Sequence, residues 1–579
     1  MKLIEALEIL RREHLAQGQP LQVSLVTGFT PLHLQTFLAA QLRILFPDRE
    51  VNLTPGLYGD FWGNLTRLEQ ANADAGVIQL EWSDLDPRLG LRNLGSWAPR
   101  ELEDILQVAK TRVSQFHEVL PRCSAHFPVV VCFPTLPFPP AAYTPTWEAS
   151  AFELQLRECI SSMHMSAVRL QNVRIVSSQQ LERLSPLNSR LDVKSELASG
   201  FPYKLPHAST IAEIVARLIQ QPTPKKGLIT DLDDTLWSGI LGEVGIDGVS
   251  WDLEHYSHMH GVYQRLLHAL SEAGVLLGVA SKNDPGFVRK ALQRKDLVLP
   301  GSCIFPLEAH WGPKSESVGR ILKTWNIGAD AIVFVDDSPM ELAEVKAAHP
   351  QVECILFPKE DPQAIDELLY RLRDLFGKSA VSQEDAIRRE SIRRFHELRD
   401  EAGGQAKTTA DFLKQAEAEL TLNSQKDPLD PRALELVNKT NQFNLNGKRY
   451  ADASWLNYIK QPDTLLLMAS YRDKYGPLGK IAVLAGRKEG HALHVNVWVM
   501  SCRAFSRAIE HRCIEELFER HGIEEIVFDF GATPKNGPIQ EFLTEILGDS
   551  PAAQCRLSRN LFRERRVETF HKVLELTNG

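Results

Sequence analysis

Nowhere in its 579 residues does this chain carry an apolar run approaching the about 18 residues a membrane-spanning helix needs. Membrane association is therefore not expected. Cysteine is sparse: the eight residues are scattered with no C-x-x-C pair, which implies neither a zinc site nor a disulfide framework. The phosphate-cradling Gly-x-x-x-x-Gly-Lys-Ser/Thr loop is missing. No internal repeat or long low-complexity tract is evident. Positive charge is in deficit, at 65 Lys and Arg against 74 Asp and Glu, and the net charge of −9 argues against nonspecific nucleic-acid binding. The opening stretch Met1–Glu8 is amphipathic and charged, unlike the apolar centre of a secretory signal. What remains, 43% hydrophobic and 24% charged residues, is ordinary for a cytoplasmic enzyme. The length exceeds one core, and about two to four domains are expected.

The informative feature is residues 227–239, Gly-Leu-Ile-Thr-Asp-Leu-Asp-Asp-Thr-Leu-Trp-Ser-Gly. An apolar strand runs into two aspartates spaced i, i+2, which lie on one face of an extended chain. Asp231 and Asp233 can thus reach one small site, one as nucleophile on phosphorus and the other as proton shuttle. A bivalent cation would offset two carboxylates crowded against a phosphate. An acidic turn after a buried strand is the bland alternative, but three further segments accompany the first. Gly274–Ala280 is a second buried-strand run, followed by Ser281-Lys282-Asn283-Asp284, where a hydroxyl beside a helix start suits a phosphate oxygen. Trp311-Gly312-Pro313-Lys314 opens a helix to about Trp325, and Lys314 could hold phosphate as a point charge. Ala331–Val335 ends in Asp336-Asp337-Ser338-Pro339, a carboxylate pair for a cation, with a helix Met340–Ala348 behind it. Strands alternating with helices predict a parallel sheet with ligands at its carboxyl edge.

D-x-D-x-T, then Ser after a strand, then Lys, then Asp-Asp after a strand: this order resembles the haloacid dehalogenase (HAD) superfamily of phosphatases and phosphotransferases, over roughly 226–376. The resemblance implies Asp231 as the nucleophile that forms an aspartyl-phosphate and Asp233 as general acid/base. It implies Thr235, Ser281, Lys282, Asn283 and Lys314 as phosphate-binding residues. Magnesium (Mg2+) is the implied cofactor, with Asp231, Asp233, Asp336 and Asp337 as metal ligands. Only a short Gly-rich flap (Gly239, Gly242, Gly245, Gly248) follows Thr235, and no room exists between Ser281 and Lys314 for an inserted cap. Such a site looks open.

Asp-Asp-Thr-Leu-Trp-Ser-Gly-Ile-Leu-Gly-Glu (233–243), Ser-Lys-Asn-Asp (281–284), Trp-Gly-Pro-Lys-Ser-Glu (311–316) and Val-Asp-Asp-Ser-Pro-Met-Glu (335–341) resemble the FkbH-like branch. Members take a glyceryl group from 1,3-bisphosphoglycerate, remove phosphate and leave glycerate as a thioester on an acyl carrier protein, in polyketide or related pathways. The implied partners are an acyl carrier protein with its phosphopantetheine arm and a phosphorylated small-molecule acyl donor. Many glyceryl transferases of the branch have Cys between the two aspartates, where this chain has Leu232, which leaves a covalent glyceryl–cysteine relay open. Cys303 reads as a buried structural thiol. His310, just before Lys314, is a candidate base for the pantetheine thiol.

The expected architecture is α/β and multidomain: an SGNH-like, non-catalytic α/β domain over 1–220, a HAD-type Rossmannoid parallel sheet without a large cap over 226–376, and a GNAT-like α+β domain over 385–579. In the first, Leu21–Val26, Gly76–Leu80 and Phe127–Phe133 read as strands, Leu32–Leu45 and Ala98–Leu120 as helices. Thr30 stands at the SGNH serine position and reads as a helix cap. Lys204 stands where an Asp-x-x-His block ending in His207 would have its acid. In the third, Leu465–Ser470, Gly479–Ala485 and His494–Met500 read as strands before a helix to about Arg520. Arg503, Ser506, Arg507 and Asn536 are candidates for binding the pantetheine arm or carrier. The cluster His255, His258 and His260 lacks a partner segment, and the basic run Arg556–Arg566 reads as a solvated face. The leading expectation is a HAD-type phosphatase and glyceryl transferase; a stand-alone magnesium-dependent phosphatase and a carrier-docking scaffold are the alternatives.

Overall fold

A computed structural model of the chain describes residues 1–12, 18–92, 98–138, 144–378, 381, 414, 417–474, 476–501, 504–505 and 507–576. The chain divides into two compact units, Met1–Pro222 and Thr223–Gly579. Residues 385–413, where the third domain was expected to begin, lie outside the described residues.

The first unit is built on five strands: β1 (Leu21–Thr27), β2 (Val51–Pro55), β3 (Ala75–Gln79), β4 (Val129–Cys132) and β5 (Val173–Ile175). They run in the order β2-β1-β3-β4-β5, all parallel. Every residue of β3 and β4 is buried, as expected for parallel strands covered by helices on both faces. Helix Leu32–Leu45 forms where sequence periodicity placed it, because Leu34, Phe37, Leu38 and Leu42 recur on one buried stripe. The helix expected at Ala98–Leu120 spans Leu102–Ser124 instead, after a 3-10 turn at Pro99–Glu101. Thr30 is not a helix cap: Pro31 occupies that position, and no side chain caps the helix. Lys204 occupies the N-cap of helix Leu205–Gln220 without a side-chain cap bond.

The second unit begins with β6 (Gly227–Thr230), β7 (Leu276–Ser281), β8 (Ile304–Ala309), β9 (Ile332–Asp336) and β10 (Glu353–Leu356). Their order is β10-β9-β6-β7-β8, again all parallel. Counted along the chain this is the doubly wound order 3-2-1-4-5, so β6 is central and the chain reverses direction across the sheet beside it. That order puts the ends of β7 and β9 on either side of the end of β6. Helix Lys314–Trp325 has the expected bounds, and helix Pro339–Ala348 starts one residue before the expected one. Between β6 and helix His258–Glu272 there is only a loop with the single turn Leu241–Val244. Gly239 and Gly245 take positive φ there (98° and 74°), which a side chain would resist.

The rest of this unit is a mixed sheet of β11 (Glu419–Asn423), β12 (Phe443–Asn444), β13 (Thr464–Asp473), β14 (Gly476–Glu489), β15 (Ala492–Met500), β16 (Glu525–Asp529), β17 (Gln554–Ser558) and β18 (Lys572–Leu576). The order is β17-β16-β15-β14-β13-β11-β18, with β12 beside β15. The three strands expected from sequence fall inside β13, β14 and β15. Pairing is antiparallel except at β15/β16 and β11/β18. Trp498 at the centre stacks on Phe528 and meets Phe443 and Phe542 edge-on.

Candidate active site

Asp231 directly follows β6, and its N–H donates to the carbonyl of Val335 in β9 (2.9 Å), which sets it level with Asp336. The Lys314 ammonium bridges the two acids, 3.0 Å from Asp231 Oδ2 and 2.6 Å from Asp336 Oδ2. All three side chains are buried. Ligand oxygens of Asp231, Asp336 and Asp337 lie within 4.8 Å of one another, the only such cluster of His, Cys, Asp or Glu among the described residues. Asp231 Oδ1 and Thr235 Oγ1 are buried without a hydrogen-bond partner. Buried polar atoms left unsatisfied cost about 1–3 kcal/mol each, so an unpartnered Asp231 oxygen within the carboxylate cluster suits a further partner.

The electrostatics agree. Burial pushes the Asp231 carboxyl up to about 7; Lys314 pulls it down and the Asp336 charge pushes it further up. Asp336 is raised for the same first reason, against the pull of Lys314. Burial favours the neutral amine at Lys314, but the two acids outweigh it and raise its pKa. Two ammoniums, Lys314 at Asp231 and Asp336 and Lys359 shared by Asp337 and Asp234, against four carboxyls leave negative charge that a divalent ion would offset. The residues present therefore fit magnesium: carboxylate oxygens, one of them unpartnered, at a spacing one small ion could bridge.

The Asp233 carboxylate, also expected among the metal ligands, is not one of that trio's oxygens. Its Oδ1 accepts from Trp237 Nε1 (2.9 Å) and Leu241 N–H (3.2 Å), and its Oδ2 from Asn283 Nδ2 (2.9 Å). Asn283 also donates to Ser281 Oγ (3.1 Å), which leaves the serine hydrogen free to donate to a ligand. Asn283 is thus occupied in orienting Asp233 and Ser281. Lys282 is turned to Glu341 (2.7 Å) and does not join Lys314 at the acids. The sequence reading missed Lys359, just beyond β10, whose ammonium bridges Asp234 (2.7 Å) and Asp337 (3.0 Å).

Other candidates fare differently. Arg503 and Ser506 lie outside the described residues. Arg507 is buried, with its guanidinium 5.5 Å from the centre of the Tyr471 ring. Asn536 is fully buried: its amide donates to the carbonyls of Asn444 and Gly531, and its oxygen accepts from Thr533 N–H and Gln540 Nε2. It locks a loop and has no group left for a pantetheine arm. His310 Nδ1 accepts from Gly312 N–H (2.9 Å) while Nε2 faces Ser317 and Arg320, which does not suit a base. The three histidines do not cluster, since His255 pairs with Asp252 and His260 bonds the Thr235 carbonyl.

No protein-family model matches the chain, and no curated protein sequence matches it. Among solved structures, the N-terminal part of the protein BF1531 from Bacteroides fragilis, containing a phosphatase domain and complexed with Mg, is similar with a TM-score of 0.54 and 21% identity. The match covers 66% of this chain and 100% of that one, and it shows a shared fold. An S. aureus MnaA–UDP structure (TM-score 0.13, 10% identity, 66% of this chain and 97% of that one) and the calicheamicin glycosyltransferase CalG4 (0.12, 12%, 67% and 100%) are too distant to carry an argument.

Proposed function

We propose that the chain is a magnesium-dependent phosphoryl-transfer enzyme of HAD type that loads a glyceryl group from 1,3-bisphosphoglycerate onto the thiol of an acyl carrier protein. The observation that carries the phosphoryl chemistry is the buried Asp231–Lys314–Asp336 array with an unpartnered Asp231 oxygen. Magnesium fits Asp231, Asp336 and Asp337, where it would offset charge on a phosphate. The Mg in the fold-related BF1531 structure supports that assignment.

The chain's residues divide the work as follows. The carrier thiol attacks the activated C1 carbonyl of the acyl phosphate, the C–O bond to phosphate breaks, and inorganic phosphate leaves. Asp231 attacks the C3 phosphorus, and Asp233 protonates the departing C3 oxygen. Asp233 then takes a proton from the water that cleaves the aspartyl-phosphate. Ser281 and Lys314 hold phosphate oxygens. One donor, one thiol and one water thus give a glyceryl thioester and two phosphates. SGNH-like and GNAT-like identities for the flanking regions, and a carrier-binding role for Arg503, Ser506 and Arg507, belong to the same proposal.

The test is incubation with holo carrier protein, Mg2+ and 1,3-bisphosphoglycerate, followed by the carrier's intact mass. A glyceryl increment that disappears in Asp231→Asn supports the transferase. Phosphate release without a mass change leaves a stand-alone phosphatase. Carrier binding without turnover leaves a docking scaffold.

A further inference from the structure

Lys359 lies beyond every motif, yet it is tied to two of them. Its Nζ sits 2.7 Å from Asp234 Oδ2 and 3.0 Å from Asp337 Oδ2. Asp234 falls between Asp233 and Thr235 on the turn after β6 and takes φ +52°, a conformation disfavoured for a residue with a side chain. Its Oδ1 accepts from Gly239 N–H (2.8 Å), so its carboxylate is gripped from the flap on one side and from Lys359 on the other. Asp337 belongs to the carboxylate trio. Lys359 is delivered by the sheet: Phe357 N–H donates to the Asp336 carbonyl (2.8 Å), which carries the segment after β10 along the end of β9.

We infer that Lys359 is a positioning residue that pins the strained β6 turn to the Asp336-Asp337 turn and, by its charge, lowers the site's affinity for a divalent cation. The inference rests on the proposed magnesium site and adds a residue with two opposed effects. A tether holds Asp231, Asp233 and Thr235 in register with the acids of β9, and second contacts of this kind commonly set how well a site performs. The ammonium also stands beside a carboxylate offered to the ion, where like charge repels. Removing a purely structural tether would loosen the carboxylates and weaken cation binding. Removing this one is expected to strengthen it, because the lost positive charge acts directly on the ion.

The experiment measures Mg2+ binding by calorimetry on the full chain without substrate, with phosphate release measured separately. Lys359→Met is expected to bind Mg2+ at least about threefold more tightly while its turnover falls about tenfold, and Lys359→Arg is expected to return both toward the parent. Lys359 is exposed, and Lys359→Gln serves as a second variant should the first fold poorly. Unchanged or weaker Mg2+ binding in both neutral variants overturns this inference alone, provided the parent binds Mg2+ and Asp336→Asn abolishes that binding. A parent that binds no Mg2+ overturns the proposed function together with it.

Discussion

Two five-stranded parallel sheets in this chain each gather buried polar groups past their carboxyl edges, and the two gatherings differ in one respect. In the first unit, Glu81 follows β3 and accepts from Thr135 N–H (3.2 Å), Thr135 Oγ1 (2.6 Å), Leu136 N–H (3.2 Å) and Tyr203 OH (2.6 Å). Both ring nitrogens of His207 are engaged, by Thr135 Oγ1 (3.0 Å) and Ser185 Oγ (2.9 Å). Gln79 Oε1 is the exception to that closure. In the second unit Asp231 and Asp336 share the Lys314 ammonium, and Asp231 Oδ1 and Thr235 Oγ1 stay unpartnered. A network that satisfies itself contributes to folding, whereas one that keeps unmet valence is suited to a ligand.

Substitution separates the two most sharply. Asp231→Asn is expected to cost about a thousandfold in phosphate release, as loss of a nucleophile does. Its melting temperature is expected to hold or rise, because burial already disfavours that charge. Glu81→Ala is expected to do the reverse. It strands several buried donors and costs about 3 kcal/mol or more of stability, while phosphate release per folded molecule stays within threefold. Calorimetric melting beside a phosphate assay reads both. The comparison breaks if Glu81→Ala melts like the parent.

Acid titration sharpens it further. His207 has its pKa pushed down to about 3, by burial first and the Arg190 charge second. The unfolded chain holds a histidine near about 6.5, so between those values it binds a proton the native state refuses, and acidification favours unfolding. Glu81 and Asp84 act oppositely: burial raises both, Asp84 to about 8, so the native state keeps protons that the unfolded chain releases. Comparing the parent with His207→Gln cancels the acids. From about pH 6 to about pH 4 the parent is expected to lose about 1.4 kcal/mol per pH unit relative to the variant. Hydrogen-exchange protection of helix Leu205–Gln220 in the full chain measures this, and parallel pH curves would contradict it.

Sequence made the second sheet easier to read than the first cluster. The ends of β6, β7 and β9 each carry their chemistry within a few residues of an apolar run, and Lys314 opens a helix marked by Pro313. The partners of Glu81 come from the segment after β4 and from residues up to 122 positions away, so no local pattern ties them together. Lys359 was invisible for a related reason: it reaches Asp337 only because β10 lies beside β9. β2 was missed because none of its residues is buried, which removes the hydrophobic signal. Asn536 attracted a binding role from its loop motif, yet the loop needs all of its hydrogen bonds.

The smallest effect concerns thiols, and it tests whether the second sheet hides a covalent relay. Cys132 in β4 and Cys303 just before β8 are both buried, and neither forms a disulfide. Burial raises the Cys132 thiol far above its ordinary value, which suppresses the nucleophilic thiolate. Cys303 closes a 3-10 turn and packs into the same core as Leu232 and Trp237. With Leu232 between the aspartates, a relay through this core would have to use Cys303. Cys303→Ala and Cys132→Ala are each expected to cost about 1 kcal/mol of stability, as small buried truncations do, and to leave phosphate release and carrier loading within twofold of the parent. Retained phosphate release with lost loading in Cys303→Ala alone would instead assign that thiol to acyl transfer, and the core around β8 would belong to the active site.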